Sequence, residues 1–356
     1  MMKKISRKAY VFLACAGFVF LIAGAKKAYG ASGIDVEKED CKITFTLDAD
    51  ELHAKDQENL EQTAPSYREY YTELSQALDT QPISVDLYRI ADVEIDGKYS
   101  LLAAYGEAGT LSGIESADAN TTAEEWALWA EAAAQIATSD APIQKAVIEK
   151  DAGGKATGVA EGLQTGMYLI NVEPVESTGY TYRFVPYLVA LPTHYGENGE
   201  SDAWVYGDGD TPVLVGLKPE REDRYGSLTI EKQLTSYHET LEGATFVFEI
   251  RAVKEDRLVY SDVVALNFDA PGKKSLSVEG IPAGAVVTVT EVYSGAGYQA
   301  TGSISQEQRI EAEQTIRFSF TNEYNGHLNG GGPGVVNHFV YEKDTEGNDN
   351  LTWEKQ

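Results

Sequence analysis

The chain has 356 residues, with 56 acidic side chains against 29 basic ones and a formal charge of −27. Bulk electrostatics of that sign exclude nucleic acid and anionic lipid as partners and suit a solvated surface. Two cysteines and five scattered histidines exclude a disulfide framework and give no metal-ligand spacing, so no metal and no cofactor are expected.

Residues 1–30 read as an export signal. Lys3, Lys4, Arg7 and Lys8 form a basic start, Ala9 to Ala25 is apolar, and Ala28-Tyr29-Gly30 is a small-x-small cleavage site. Cleavage after Gly30 starts the mature chain at Ala31 and removes Cys15 and six basic groups, which leaves a more acidic chain with no membrane segment. An uncleaved anchor is the alternative, because the apolar run is nearly long enough to span. The expected destination is the cell exterior.

Residues 31–224 read as a β-sandwich with helical insertions. Strands are expected at Ile43–Leu47, Ile83–Val93, Gly166–Val172 and Phe184–Leu191. One helix covers Ser66 to Leu78, after Pro65. A second starts near Thr121, where Thr122-Ala-Glu-Glu125 is a capping box, and puts Trp126, Trp129, Ala130, Ala133 and Ile136 on one side. That stripe reads as core packing. Cys41 shares the inner parity of Ile43, Phe45 and Leu47 and reads as a small buried hydrophobe. No crosslink is expected in this domain. Arg89 shares a face with Ile83, Val85 and Leu87, but a guanidinium stays protonated; Lys42 points outward; Glu173 finds no lysine and asparagine to act on. Gly216 to Arg224 reads as a charged linker that carries Lys218.

Residues 225–326 read as a second β-sandwich, and here parity carries chemistry. Side chains of one parity share one face of a strand. In the first strand they are Leu228, Ile230, Lys232 and Leu234; in another, Val287, Val289, Glu291 and Tyr293; in the last, Ile316, Phe318, Phe320, Asn322 and Tyr324. Each strand pushes one polar group into an apolar face. A lone inward lysine is ordinarily a strand-end residue whose ammonium reaches water, and a lone glutamate or asparagine is ordinarily a satisfied group near a turn. Three together are the ingredients of an intramolecular Lys–Asn isopeptide bond. Desolvation favours the neutral forms of an amine and a carboxyl. A neutral Lys232 amine can then attack the Asn322 side-chain carbonyl, while a protonated Glu291 polarises it and shuttles protons as ammonia leaves.

The segment from Gly226 to Asn325 resembles the Cna protein B-type domains of Gram-positive surface proteins and pilins. Phe320-Thr-Asn322-Glu-Tyr324 matches their closing F-x-N-x-Y strand, and Glu291 precedes a Gly297-Tyr298 pair as the family's glutamate does. The resemblance implies Lys232 as donor, Asn322 as acceptor and Glu291 as catalytic acid. The first domain resembles the N-terminal domain of backbone pilins through Val85-Asp-Leu-Tyr-Arg-Ile-Ala-Asp-Val93, Gly162-Leu-Gln-Thr-Gly-Met-Tyr-Leu-Ile170 and Phe184-Val-Pro-Tyr-Leu-Val-Ala-Leu-Pro192. The fold class implied is mainly β: tandem Ig-like, Cna-B-type sandwiches. In backbone pilins a lysine in a Y-P-K-like setting accepts the next subunit. Lys218 is the candidate here, although it precedes Pro219 and has no adjoining tyrosine, as a plain linker lysine would.

Residues 327–356 read as a glycine-rich hinge followed by a hairpin of Val335–Tyr341 with Leu351–Lys355. No L-P-x-T-G motif follows, so sortase anchoring through this C-terminus is not expected. The leading functional expectation is an exported pilin-like or adhesin-like structural protein of the Gram-positive cell wall, with other pilin subunits and a sortase as partners. The alternative is a secreted module that binds host matrix or glycan without polymerising. An enzyme ranks last, because no P-loop, G-x-S-x-G or Cys–His pairing occurs.

Overall fold

Alternation of buried and exposed positions runs through most strands of the chain, and it sets a mainly β architecture with helices inserted in the N-terminal part. The computed structural model describes residues 33–52, 66–107, 109–118, 120–138, 141–196, 199–209, 211–241, 243–327, 338–343 and 349–354. The expected export signal and most of the expected glycine-rich hinge lie outside the described residues. The chain divides into two units, Met1–Arg224 and Tyr225–Gln356.

The first unit contains β1 (Cys41–Thr46), β2 (Ile83–Val93), β3 (Tyr99–Leu101), β4 (Gln144–Lys150), β5 (Ala156–Leu163), β6 (Gly166–Val172), β7 (Val175–Glu176), β8 (Tyr180–Phe184), β9 (Tyr187–Leu191), β10 (Thr193–Gly196), β11 (Gly199–Val205), β12 (Val213–Gly216) and β13 (Pro219–Asp223). Its helices are α1 (Ser66–Ala77), the short α2 (Ala103–Gly106) and α3 (Ala123–Ala137). The main sheet runs β12-β1-β5-β4-β2-β6-β9, with β3 beside β2. Both faces of β2 are covered. Ile83, Val85 and Leu87 enter one core with Ile43 and Phe45; Tyr88, Ile90 and Ala91 enter another with Trp126, Ala130 and Ala133 of α3. A register shift between Arg89 and Ala91 breaks the alternation and lets Ala91 join Ile90 on the helix side. Arg89 donates to the Thr165 carbonyl at 3.0 and 2.6 Å, so it braces a turn.

α3 begins on the expected capping box. Thr122 Oγ1 accepts from Glu125 N at 3.2 Å, and Glu125 Oε2 accepts from Thr122 N at 2.7 Å. Trp129 and Ile136 are only partly buried, but they pack on the same core as Trp126.

Two expectations need correction. Phe184–Leu191 is not one strand. It breaks at Val185-Pro186 into β8 and β9, because a proline without an N–H cannot carry a ladder onward. The supposed linker is also largely strand. β13 pairs antiparallel with β8, from Pro219 opposite Phe184 to Asp223 opposite Tyr180. Its charge alternation places Glu222 with Arg183 at 3.1 Å. Arg221 is bound by Glu69 and Glu73 of α1 at 2.8 and 3.0 Å, between the rings of Tyr70 and Tyr180 at 4.8 and 4.2 Å. A proline is tolerated here because it opens the strand.

The second unit pairs two four-stranded sheets: β17-β14-β21-β19 and β16-β15-β18-β20. The strands are β14 (Tyr225–Leu234), β15 (Ala244–Lys254), β16 (Arg257–Phe268), β17 (Gly272–Pro282), β18 (Val286–Tyr293), β19 (Tyr298–Ala300), β20 (Ser305–Arg309) and β21 (Thr315–Tyr324). Leu228, Ile230, Phe246, Phe248, Ile250, Val287, Val289 and Phe318 are fully buried in one core. Residues of this kind contribute about 1.5–3 kcal/mol each on burial, which is what makes a polar intruder costly. The first and last strands are neighbours and run parallel, with Lys232 level with Phe320 and Leu234 level with Asn322. β19 covers only the last residues of β21, Asn322 to Tyr324. Along the remainder of that edge, Gln306 and Gln308 of β20 donate their side-chain amides to the carbonyls of Ser319 and Arg317, both at 2.6 Å. In the tail, β22 (His338–Lys343) and β23 (Asp349–Glu354) pair as a hairpin.

Candidate functional site: a buried amine, carboxyl and carboxamide

Alternation along β14 and β21 makes the inward position of Lys232 and Asn322 unavoidable, and β18 delivers Glu291 from the facing sheet. Lys232 and Asn322 are 0% exposed and Glu291 is 4% exposed. Lys232 Nζ donates to Glu291 Oε2 at 2.7 Å and also to Asn322 Oδ1. Asn322 Nδ2 donates to the other oxygen, Glu291 Oε1, at 2.6 Å and to the main-chain oxygen of Ser294 at 3.5 Å. One carboxyl thus touches the nitrogen that would attack and the nitrogen that would leave. The Phe246 ring centre lies 4.4 Å from Nζ and that of Phe248 lies 5.7 Å away.

Burial pushes the Lys232 pKa below the ordinary lysine value, against the opposing pull of the Glu291 hydrogen bond and charge. A lysine whose neutral form is favoured is a nucleophile; one paired at the surface is not. The first unit supplies that contrast. Lys145 of β4 reaches Asp86 of β2 at 2.9 Å and Glu173 at 3.7 Å. Sequence reasoning found no lysine for Glu173, because only the β2–β4 pairing brings Lys145 there. Yet the Lys145 side chain is 52% exposed, and Asp86 raises its pKa, so the cluster is an ordinary ion pair.

Tyr293 was expected on the Glu291 face and is instead exposed. The β15 register slips there: Phe248 faces Glu291 while Val247 faces Tyr293, and the strand leaves its inward parity after the glutamate. The participants that sequence parity did not reveal are Phe246 and Phe248 of β15 and the Ser294 carbonyl. The two rings were legible as an alternating F-x-F; a main-chain oxygen has no sequence signal.

Lys218 lies between β12 and β13, with its ammonium 5.0 Å from the Tyr187 ring centre. Cys41 is fully buried, and burial pushes its thiol up to about 12, which is unreactive at neutral pH. Among the described residues, no group of three or more His, Cys, Asp or Glu side chains could hold a metal ion, and no helix is long and apolar enough to cross a membrane.

A family described as "Domain of unknown function (DUF5979)" matches residues 228–325, which span the whole polar trio. No curated protein matches the chain. Among solved structures, the chain is similar to a streptococcal ancillary pilin at 15% identity, covering 80% of this chain and 69% of that one, with a TM-score of 0.23. It is similar to the pilus-presented adhesin Spy0125 (Cpa) at 15% identity, covering 46% of this chain and only 38% of that one, with a TM-score of 0.23. A Mobiluncus mulieris adhesin that contains intramolecular disulfide, isopeptide and ester bond crosslinks is 14% identical, over 68% of this chain and 84% of that one, with a TM-score of 0.24. These likenesses are distant, and the chemistry of the second unit stands on its own geometry.

Proposed function

We propose that the second unit joins Lys232 to Asn322 by an intramolecular isopeptide bond, with Glu291 as proton carrier. The observation that carries this reading is the two-sided contact of Glu291: Oε2 on the Lys232 nitrogen and Oε1 on the Asn322 nitrogen, at 2.7 and 2.6 Å, inside an apolar core. One proton passed from the ammonium to the carboxylate, where it settles on Oε1, gives the neutral pair. The Nζ lone pair then attacks Cγ of Asn322. The Nζ–Cγ bond forms, the Cγ–Nδ2 bond breaks, and ammonia leaves. Oε1 gives a proton to Nδ2 while Oε2 takes one from Nζ, so the carboxyl ends as it began. Each molecule reacts once, and the chain is not an enzyme in the turnover sense.

In this reading the chain is an exported structural protein of the Gram-positive cell surface, of pilin or adhesin type. The crosslink would tie the first and last strands of the unit and carry tension between them. Assembly with further subunits through a sortase, with Lys218 as the receiving amine, is the accompanying proposal for partners. It is supported by the position of Lys218 against Tyr187. The decisive measurement is intact mass. Folded protein should weigh one ammonia less than its sequence, and Glu291→Ala, which keeps both bonding residues, should restore the full mass. Full mass in the folded parent after long incubation would leave only a buried polar network.

A further inference from the structure

Just past the last strand of the second unit, main-chain groups stand around another side-chain amide. Asn325 follows β21 and is half-buried, and Gly326 and His327 after it are exposed. Asn325 N donates to the Gly297 carbonyl at 3.0 Å, which anchors the residue. Its side-chain oxygen, Oδ1, accepts from His327 N at 2.9 Å. Among the described residues, neither Gly326 N nor Asn325 Nδ2 has a hydrogen-bond partner. We propose that Asn325–Gly326 is a self-modifying site, at which Gly326 N attacks Asn325 Cγ to form a succinimide that water opens to aspartate and isoaspartate. The proposal is independent of the isopeptide reading, which concerns Asn322.

Each part of the reaction has its group. The nucleophile is a main-chain nitrogen not engaged elsewhere, and Gly326 sets no side chain against its approach. Gly326 holds φ +80, a conformation open to glycine. A Cβ placed there would meet nothing within 4 Å, so the peptide has room to turn toward Cγ. On attack, negative charge develops on Oδ1, the atom already bound by His327 N. A donor aimed at that oxygen stabilises the charge as it forms. Asn120, Asn171, Asn267 and Asn322 lack this set. They are followed by Thr121, Val172, Phe268 and Glu323, and the last three pairs lie within β6, β16 and β21.

The steps balance with water as the only co-reactant. Gly326 N gives its proton to solvent hydroxide and bonds to Cγ. The Cγ–Nδ2 bond breaks, and Nδ2 takes a proton from water and leaves as ammonia. Water then cleaves one of the two ring C–N bonds. Cleavage at Cγ gives aspartate. Cleavage at the main-chain carbonyl gives isoaspartate, in which the chain runs through Cβ and Cγ. The net change is one ammonia exchanged for one water. Either product adds a negative charge. The isoaspartate also lengthens the main chain and turns the carbonyl that now accepts from His327 N into part of it. Both changes fall between β21 and the glycine-rich tail, so they alter how the unit meets its tail and leave its core alone.

Full-length protein is held in mildly alkaline buffer, and its peptides are mapped by mass with time. Mapping by site is needed because Asn198-Gly199 and Asn329-Gly330 share the dipeptide. Asn325 should yield two products of equal mass that separate by chromatography, aspartate and isoaspartate. Aspartate alone would mean direct hydrolysis and overturns the succinimide. His327→Pro removes the N–H on Oδ1 and should slow the reaction about fivefold, the share of one net hydrogen bond. His327→Ala keeps that N–H and should react at the parental rate. The same proline exchange in a synthetic peptide of residues 323–328, which has no fold to hold the turn, should leave its rate unchanged. A parental rate in His327→Pro, an equal slowing in His327→Ala or in the peptide, or an Asn325 that stays intact while Asn329 converts overturns the proposal. A crosslink at Asn322 appears in the same spectra as two joined peptides, so failure of either reading leaves the other standing.

Discussion

The stabilising effect of the proposed crosslink is separable from the burial of its polar groups by the double substitution Lys232→Met with Glu291→Gln. Methionine keeps an unbranched apolar chain in place of the lysine stem, and glutamine retains an oxygen for Asn322 Nδ2. Neither leaves a buried charge unpaired, whereas Lys232→Ala or Glu291→Ala alone would, at about 3–5 kcal/mol. What the double variant loses is closure of the loop between positions 232 and 322, which are 90 residues apart. Restricting the unfolded chain over a loop of that length contributes roughly 4–5 kcal/mol. Urea unfolding of the second unit should show the double variant less stable than the crosslinked parent by that amount. The variant should also show a steeper denaturant dependence, since its unfolded chain is free to expose more surface. Stabilities equal to within about 1 kcal/mol, in a parent already short of one ammonia, would refute loop closure as the source of the stabilisation.

Two further outcomes check the remaining assignments. Lys145→Ala should leave the mass deficit of the full chain unchanged, because the Lys145–Asp86–Glu173 cluster is a surface ion pair rather than a second reaction centre; loss of a deficit in that variant would reverse the distinction. Thr122→Ala should cost the first unit about 1 kcal/mol by removing the cap of α3, read as a lowered melting temperature. The reciprocal bond from Thr122 N holds the Glu125 carboxyl below its usual pKa. Alanine keeps that main-chain bond and removes only the second one, from Thr122 Oγ1, so the difference between parent and variant should narrow without vanishing as pH falls through the lowered folded value.

The trio of Lys232, Glu291 and Asn322 was legible because strand parity is strict where one face is buried: β14 alternates without a break from Gly226 to Leu234. Tyr293 was misread because parity ends at a register slip, and a slip depends on the partner strand rather than on the residues that slip. The same limit hid β13. Pro219-Glu-Arg-Glu-Asp223 has the composition of a linker, and only pairing with β8 and the clamp on Arg221 make it a strand. Glu173 showed the complementary failure, since its partner Lys145 lies on an element distant in sequence. The capping box of α3, by contrast, is local within four residues and was read directly from Thr122 and Glu125.

The glutamine amides along β21 bear on what happens between molecules. On the proposed cell surface the chain would sit among many copies of itself, and an open strand edge can pair with a neighbour. β21 carries Asn322, the proposed acceptor, and β19 shields only its final three residues. Gln306 and Gln308 occupy main-chain carbonyls that a foreign strand would need. Those two carbonyls are therefore not open to a neighbouring strand, and Asn322 stays against the Lys232 of its own fold.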